Sequence, residues 1–253
     1  MPMLDMHTHL RGKAFGMGRR STASFLAMMD RAGIDRAVVM TLDGFFFDAV
    51  AANDALAEQA AESDCRLIPL CTVNPRHENA VPEIRRCVEE LGFRGVKLHP
   101  WWQGFSPVDP VMTPVAAEAA RLGVPILFHD GTPPFSSPLQ VAYLADQFPD
   151  LTVILGHGGG MDLWVEAVAA AKRYPNCYVC LCGANPPAAF ARMIQELGPA
   201  KVTFGTDVGF DDDYAVFRAA QFRALVKDLP GPDQEAILWR NACRLLKIAD
   251  WGG

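Results

Sequence analysis

The decapeptide MPMLDMHTHL places His7 and His9 one residue apart, although the 253-residue chain contains only six histidines. On a β-strand, residues i and i+2 face the same side, so this spacing aims two imidazoles at one point. A pair of convergent imidazole nitrogens is half of a divalent-metal site, and the chemistry of such sites is activation of water or polarisation of a substrate oxygen. A solvated polar strand end would show the same local spacing. The reading therefore depends on whether the rest of the chain supplies matching ligands.

The elements that must position them follow from periodicity. Short runs rich in Val, Ile, Leu and Phe alternate with longer stretches of helical period. The strand candidates are 4–9, 34–41, 66–73, 95–99, 125–129, 152–157, 177–182 and 202–207. Helices are predicted over 21–32, 49–63, 80–91, 113–122, 138–147, 162–173, 187–197 and 213–229, with a final helix over 233–246. Thr113 and Pro114 form an entry signal, a capping hydroxyl followed by a proline suited to the first turn. Eight strand–helix units predict an α/β fold, a (β/α)8 TIM barrel forming a single domain over residues 1–253 with an extra C-terminal helix. A doubly wound open sheet would carry its phosphate-binding glycine fingerprint after the first strand, where this chain has histidines.

Composition agrees with a large buried core. Half of the residues are hydrophobic and 21% are charged, with a formal net charge of −6. The basic residues are scattered, so nucleic acid lacks its electrostatic footprint. No apolar run approaches the roughly 20 residues of a membrane helix, and the N-terminus shows no secretory pattern, so a cytoplasmic protein is expected. The seven cysteines form no paired framework, and the CYVCLC stretch reads as a buried strand in which Cys177, Cys180 and Cys182 pack as small apolar residues.

The strand ends carry the chemistry. The fourth reads FRGVKLHP, the fifth PILFHDG, the sixth VILGHGG and the eighth VTFGTDVG; every histidine except His77 closes an apolar run, as does Asp207. In a barrel these ends converge on one mouth. His7, His9, His129 and Asp207 would there form a cup of nitrogen and oxygen ligands with a position open for water. Zinc is the first expectation, with manganese, iron or cobalt also compatible.

Taken together, the HxH pair, GVKLHP, the histidine closing the fifth strand, HGG, GTD and the terminal NACRLL resemble the amidohydrolase superfamily. They resemble in particular its amidohydrolase-related branch of metal-dependent hydrolases and nonoxidative decarboxylases. The resemblance runs from His7 to Leu246. It implies that His7, His9, His129 and Asp207 are metal ligands and that His157 is a catalytic residue beside the metal or a ligand of a second ion. Asp207 would accept a proton from bound water and His157 would polarise substrate or move a proton. In some superfamily members a fourth-strand lysine is carboxylated and bridges two metals, which marks Lys97. Its plainer role is an interior cation paired with a carboxylate such as Asp5.

Other residues carry weaker expectations. His99 shares the inward face with Lys97 and lines the site. Trp101 and Trp102, with Phe45, Phe46 and Phe47, sit on loops that would roof it, stacking on a planar substrate or covering the mouth. Arg11 would clamp a substrate carboxylate or form a surface salt bridge. Asp130 would support a ligand or cap a helix, and His77 reads as a solvated loop residue. The expected function is a metal-dependent hydrolase acting on a small carboxylic ester, lactone or amide, with a nonoxidative decarboxylase of a small aromatic or related acid as the alternative. A catalytically silent ligand-binding barrel is a third reading. The expected partner is a small molecule, with no nucleic acid and no membrane, and a homodimer is compatible with the architecture.

Overall fold

The structure is a computed structural model that describes residues 1–183 and 185–249; Ala184 and the last four residues of the expected 1–253 unit lie outside the described residues. The chain begins with β1 (Leu4–Leu10), α1 (Thr22–Ala32) and β2 (Arg36–Thr41), and continues through two consecutive helices, α2 (Asp43–Phe46) and α3 (Ala49–Ala61). Next come β3 (Leu67–Pro69), α4 (Ala80–Glu89), β4 (Val96–Leu98), α5 (Pro100–Gln103), α6 (Met112–Leu122), β5 (Ile126–Phe128) and α7 (Pro138–Gln147). The last third holds β6 (Val153–Leu155), α8 (Trp164–Arg173), β7 (Cys177–Leu181), α9 (Pro187–Leu197), β8 (Val202–Phe204) and α10 (Asp212–Val226). A closing segment runs from α11 (Gly231–Glu235) through a π-helical stretch at Ala236–Arg240 into α12 (Asn241–Leu246).

All strand pairings are parallel. β1, β2 and β3 form one ladder and β4 to β8 another. Two bridges join the ladders into a ring: Cys71 pairs with Val96 between β3 and β4, and Thr8 pairs with Val208 between β1 and β8. The fold is thus the predicted (β/α)8 barrel. No helix among the described residues is long and apolar enough to cross a membrane.

Alternation along β1 explains the division of labour. Met6 and Leu10 turn toward the helices, while Asp5, His7 and His9 turn inward, all of them buried. The Thr8 hydroxyl, also outward, donates to the Val38 carbonyl at 2.6 Å. Parallel barrel strands are covered on both faces, so their outward residues read as continuous apolar runs.

Four expectations need correction. The ladders are shorter than the apolar runs, so β3 to β6 and β8 keep only three residues each, and the polar residues at their ends lie on the loops just beyond. Helix α6 starts at Met112 without a side-chain cap, so Thr113 lies inside it; Asp109 instead accepts from the Val111 N–H at 3.2 Å. The helices α2 and α5 were not anticipated, because four-residue turns carry no amphipathic period. The closing helix is interrupted by its π-helical stretch.

Buried polar side chains lock helices to the barrel and to one another. Asn53 on α3 donates to the Thr72 carbonyl at 3.0 Å and to Glu83 at 2.8 Å, while its own oxygen accepts from the Thr72 N–H at 3.0 Å. Glu118 on α6 accepts from Arg121 and Arg85, and these hydrogen bonds, Arg121 first, hold its carboxyl at about 2, below the usual 4.5. Replacing Asn53 with Ala strands the buried Thr72 groups, so the expected loss is about 2–4 kcal/mol in denaturant unfolding, and a loss under about 0.5 kcal/mol would refute this bracing role. A depressed carboxyl contributes stability above its unfolded pKa and loses it as pH falls. The stability advantage of the native chain over Glu118→Gln should therefore shrink steadily from about pH 5 toward about pH 3; an advantage constant over that range would show that the ion pairs contribute nothing.

Candidate metal centre

The seam between β1 and the end of β8 assembles the site. The Asp207 N–H donates to the His7 carbonyl at 2.8 Å and the His9 N–H donates to the Val208 carbonyl at 2.7 Å. Asp5 fastens the same seam from inside, accepting from the Thr206 hydroxyl at 2.6 Å, the Thr206 N–H at 3.0 Å and the His7 N–H at 3.1 Å. Asp207 adopts a left-handed backbone with φ 64°, a conformation that a residue other than glycine holds only under constraint. Its carboxylate is thereby turned into the mouth.

Around that carboxylate the predicted groups gather. Asp207 Oδ1 lies 3.4 Å from His7 Nε2 and 3.3 Å from His9 Nε2, whereas Oδ2 lies 3.9 Å from His157 Nδ1. The His7 and His157 rings are 4.8 Å apart between centroids. His129 stands one ring further out, making no such contact with Asp207; its ring meets His157 at 4.3 Å edge to face and stacks on His99 at 3.8 Å.

The residues fit a divalent cation. The Nδ1 of His7 lies 3.0 Å from the Gly156 carbonyl, which fixes the proton there and leaves Nε2 as a lone pair facing Asp207. Lys97 Nζ, at 3.0 Å from the same Nε2, requires the same tautomer. His9 has a buried Nδ1 without a hydrogen-bond partner. Burial first, and then neighbouring Lys97, hold His7 well below the ordinary imidazole value, so it is neutral and able to ligate. Burial lowers His157 to about 4 although Asp207 opposes this. Burial alone would raise Asp207, but His157 first, with the hydrogen bond from His9, outweighs it and holds the carboxyl well below its usual range. Neutral imidazoles around an ionised carboxylate form a cation-binding donor set.

The remaining predicted residues fall into two groups. Lys97 is buried inside the cup, and burial brings its ammonium down to about 8. It faces His7 rather than Asp5, whose oxygens are taken by His7 and Thr206, so the expected Lys97–Asp5 pair does not form. His99 is sandwiched between His129 and Trp102, the latter stacked at 3.8 Å and 10°. Trp102 in turn meets Phe46 and Phe15, and Phe15 meets Phe210, forming an aromatic collar from four strand-end loops. Trp101 is half exposed beside it, 6.5 Å from His99. Asp130 accepts from the N–H groups of His157 and Gly159, both at 2.6 Å, and so anchors the end of β6 rather than capping a helix.

Arg11 does not reach the cup. It leans on Asp212 at 3.4 Å and lines a cavity whose walls include neither His7 nor Asp207. His77 is exposed and lines a separate cavity of about 430 Å³ between α2 and α4.

Two contributors escaped the sequence reading. Cys182, expected only to pack, donates to the Gly156 carbonyl at 2.7 Å and lies 3.2 Å from His7 Nδ1 and 3.5 Å from His157 Nδ1. With His7, His157 and Asp207 it offers ligand atoms that all lie within 4.8 Å of one another, but burial raises its pKa and keeps the thiol protonated. Its position at a strand end was the available signal. The second contributor is Gly183, whose carbonyl accepts from Arg218 at 3.0 Å and Tyr214 at 3.3 Å. At φ 73°, a Cβ here would stand 2.7 Å from His157 Nδ1. Gly183→Ala should displace the imidazole and destabilise the chain by about 1–3 kcal/mol; unchanged His157 side-chain nitrogen resonances would disprove the close approach.

Comparison with known proteins bears on this site. The sequence model of the amidohydrolase family matches residues 4–248. The chain is 24% identical over 238 residues to 2-amino-3-carboxymuconate-6-semialdehyde decarboxylase of Dictyostelium discoideum, covering 78% of this chain and 65% of that protein. It is 28% identical over 216 residues to gamma-resorcylate decarboxylase of Rhodococcus jostii, covering 64% and 66% respectively. The chain thus spans slightly under two thirds of these relatives. A structure of 5-carboxyvanillate decarboxylase from Novosphingobium aromaticivorans, complexed with manganese and 4-hydroxy-3-methoxy-5-nitrobenzoic acid, superposes with a TM-score of 0.77 at 18% identity, covering 98% of this chain and 96% of that one. The expectation of ester, lactone or amide hydrolysis is overturned by these relatives, which are decarboxylases. With a matching fold and a family match over nearly the whole sequence, the chain belongs to the amidohydrolase family.

Proposed function

We propose that the chain, taken as one domain, is a metal-dependent, nonoxidative decarboxylase of a small aromatic hydroxy acid. The observation that carries this reading is the division of Asp207, with Oδ1 toward His7 and His9 and Oδ2 toward His157. One oxygen serves the cation site and the other serves a proton carrier. The decarboxylases among its relatives support the reaction class.

In this reading His7, His9 and Asp207, joined by His129 from the end of β5, hold one divalent ion, and Lys97 is an uncarboxylated interior cation. When bound, the ion draws electron density from the substrate's carboxylate and adjacent hydroxyl. Imidazole nitrogens with a carboxylate oxygen suit both manganese and zinc, and manganese is the ion in the 5-carboxyvanillate decarboxylase structure. The collar of Phe15, Phe46, Trp102 and Phe210 offers ring faces to a planar acid, with Trp101 at its edge and His99 holding Trp102 against His129. His157, neutral in the free chain, would take up a proton from solvent beside the ionised Asp207 and deliver it to the ring carbon as the bond to the carboxyl carbon breaks; the electron pair of that bond forms the new C–H bond as carbon dioxide leaves. Asp207 Oδ2 orients the imidazole for this transfer.

Incubation with a panel of ortho-hydroxybenzoates should release carbon dioxide and the decarboxylated phenol, and in heavy water one deuteron should occupy the vacated ring position. His157→Gln should lower kcat by on the order of 10²–10⁴-fold while metal content stays unchanged. Chelation should abolish turnover and manganese or zinc should restore it. A metal-loaded enzyme inert toward every acid of the panel, or full activity in His157→Gln, would refute the assignment.

A further inference from the structure

Beside the barrel, between the loop that follows β1 and helix α3, lies a second cavity of about 550 Å³. Its floor is apolar. Three alanines of α3, Ala51, Ala52 and Ala55, leave the space open, and Leu10 and Leu56 complete the wall. Its rim is cationic, carrying Arg11, Lys13 and Arg19.

The carboxylates of the same wall, Asp43 and Asp48, are turned to backbone N–H groups rather than to these cations. Asp43 spends both oxygens on the backbone N–H groups of Lys13, at 2.9 Å, and Ala14, at 2.7 Å. Asp48 caps α3 by accepting from Val50 and Ala51. Asp212 is gripped by both arms of Arg20 at 2.6 and 2.7 Å, so Arg11 reaches it only at 3.4 Å, and the buried Nε of Arg11 has no acceptor. Arg19 donates to the Ala55 carbonyl at 3.5 Å and meets a solvent-exposed Glu58 at 3.7 Å, and the Lys13 ammonium forms no ion pair among the described residues. The unsatisfied buried Nε of Arg11, on the same wall as a Lys13 ammonium that no carboxylate pairs, favours an anionic oxygen, while the alanine floor favours an apolar body.

We propose that this cavity is a binding site for a monocarboxylate with a compact apolar body, separate from the metal centre. The carboxylate meets Arg11 and Lys13, and the hydrocarbon part rests on Ala52 and Ala55. Because Arg11 is two residues from His9 and the loop continues to Phe15 of the collar, an occupant would brace the segment that joins the cup to its roof. The inference is independent of the reaction assigned to the cup.

Benzoate is the probe, titrated calorimetrically into chelator-treated protein so that no metal contributes. One benzoate per chain is expected, with benzamide and inorganic phosphate each binding about tenfold more weakly or worse, since one lacks the charge and the other the apolar body. Ala55→Trp should abolish binding by filling the space, and Lys13→Gln should weaken it by about tenfold; the surface substitution Lys13→Gln keeps the test decisive should Ala55→Trp fold poorly. His7→Ala, which disables the cup, should bind benzoate as the native chain does. Absence of binding, equal affinity for benzamide, full binding by Lys13→Gln, or loss of binding in His7→Ala would each overturn the proposal.

Discussion

Everything in the molecule's chemistry depends on the seam where the ring of strands closes. The hydrogen bonds from Asp207 to the His7 carbonyl and from His9 to the Val208 carbonyl unite the first and last strands. They also set the Asp207 carboxylate against His7 and His9. The left-handed backbone of Asp207 costs on the order of 1–3 kcal/mol for a residue other than glycine, and such strain persists only where neighbours over-determine it. Asp5, buried beneath and holding Thr206 by both its hydroxyl and its N–H, supplies that constraint. Site and barrel closure are one structural event.

Burial then sets the protonation of the cup. Imidazoles removed from water resist carrying a proton, so His7, His9, His129 and His157 all fall below their ordinary values. The one carboxylate among them remains ionised. Lys97 is drawn into the same space, its cation destabilised by burial and only partly restored by the pull of Asp207. Such a region favours an added divalent cation because the donors are already aimed and dehydrated. The surrounding stack of His129, His99 and Trp102 carries that order outward to the collar.

The cup specifies an ion more sharply than it specifies a reaction. Imidazole nitrogens and a carboxylate can activate water for hydrolysis or hold an acid for decarboxylation, and the same His157 can move a proton in either case. The choice between them lies in the shape and polarity of the roof. Those features come from loop aromatics on four separate strand ends, which sequence reading can gather but cannot arrange. The relatives that the chain resembles are decarboxylases, and the reaction proposed for the cup follows their class.

Period and residue type alone determined the eight strand–helix units, the barrel, and the strand-end placement of His7, His9, His129, His157 and Asp207. These are local properties: a two-residue alternation fixes which face a side chain takes, and an apolar run fixes where a strand lies. Distances across the mouth are not local. That Asp207 turns Oδ1 to one pair of histidines and Oδ2 to a third, that Lys97 meets His7 instead of Asp5, that Cys182 touches both imidazoles, and that Arg11 leaves the cup for a cavity of its own were decided only by tertiary structure. Each depends on how segments far apart in sequence, 90 residues for Lys97 and His7 and 175 for Cys182 and His7, approach one another, which no local pattern encodes.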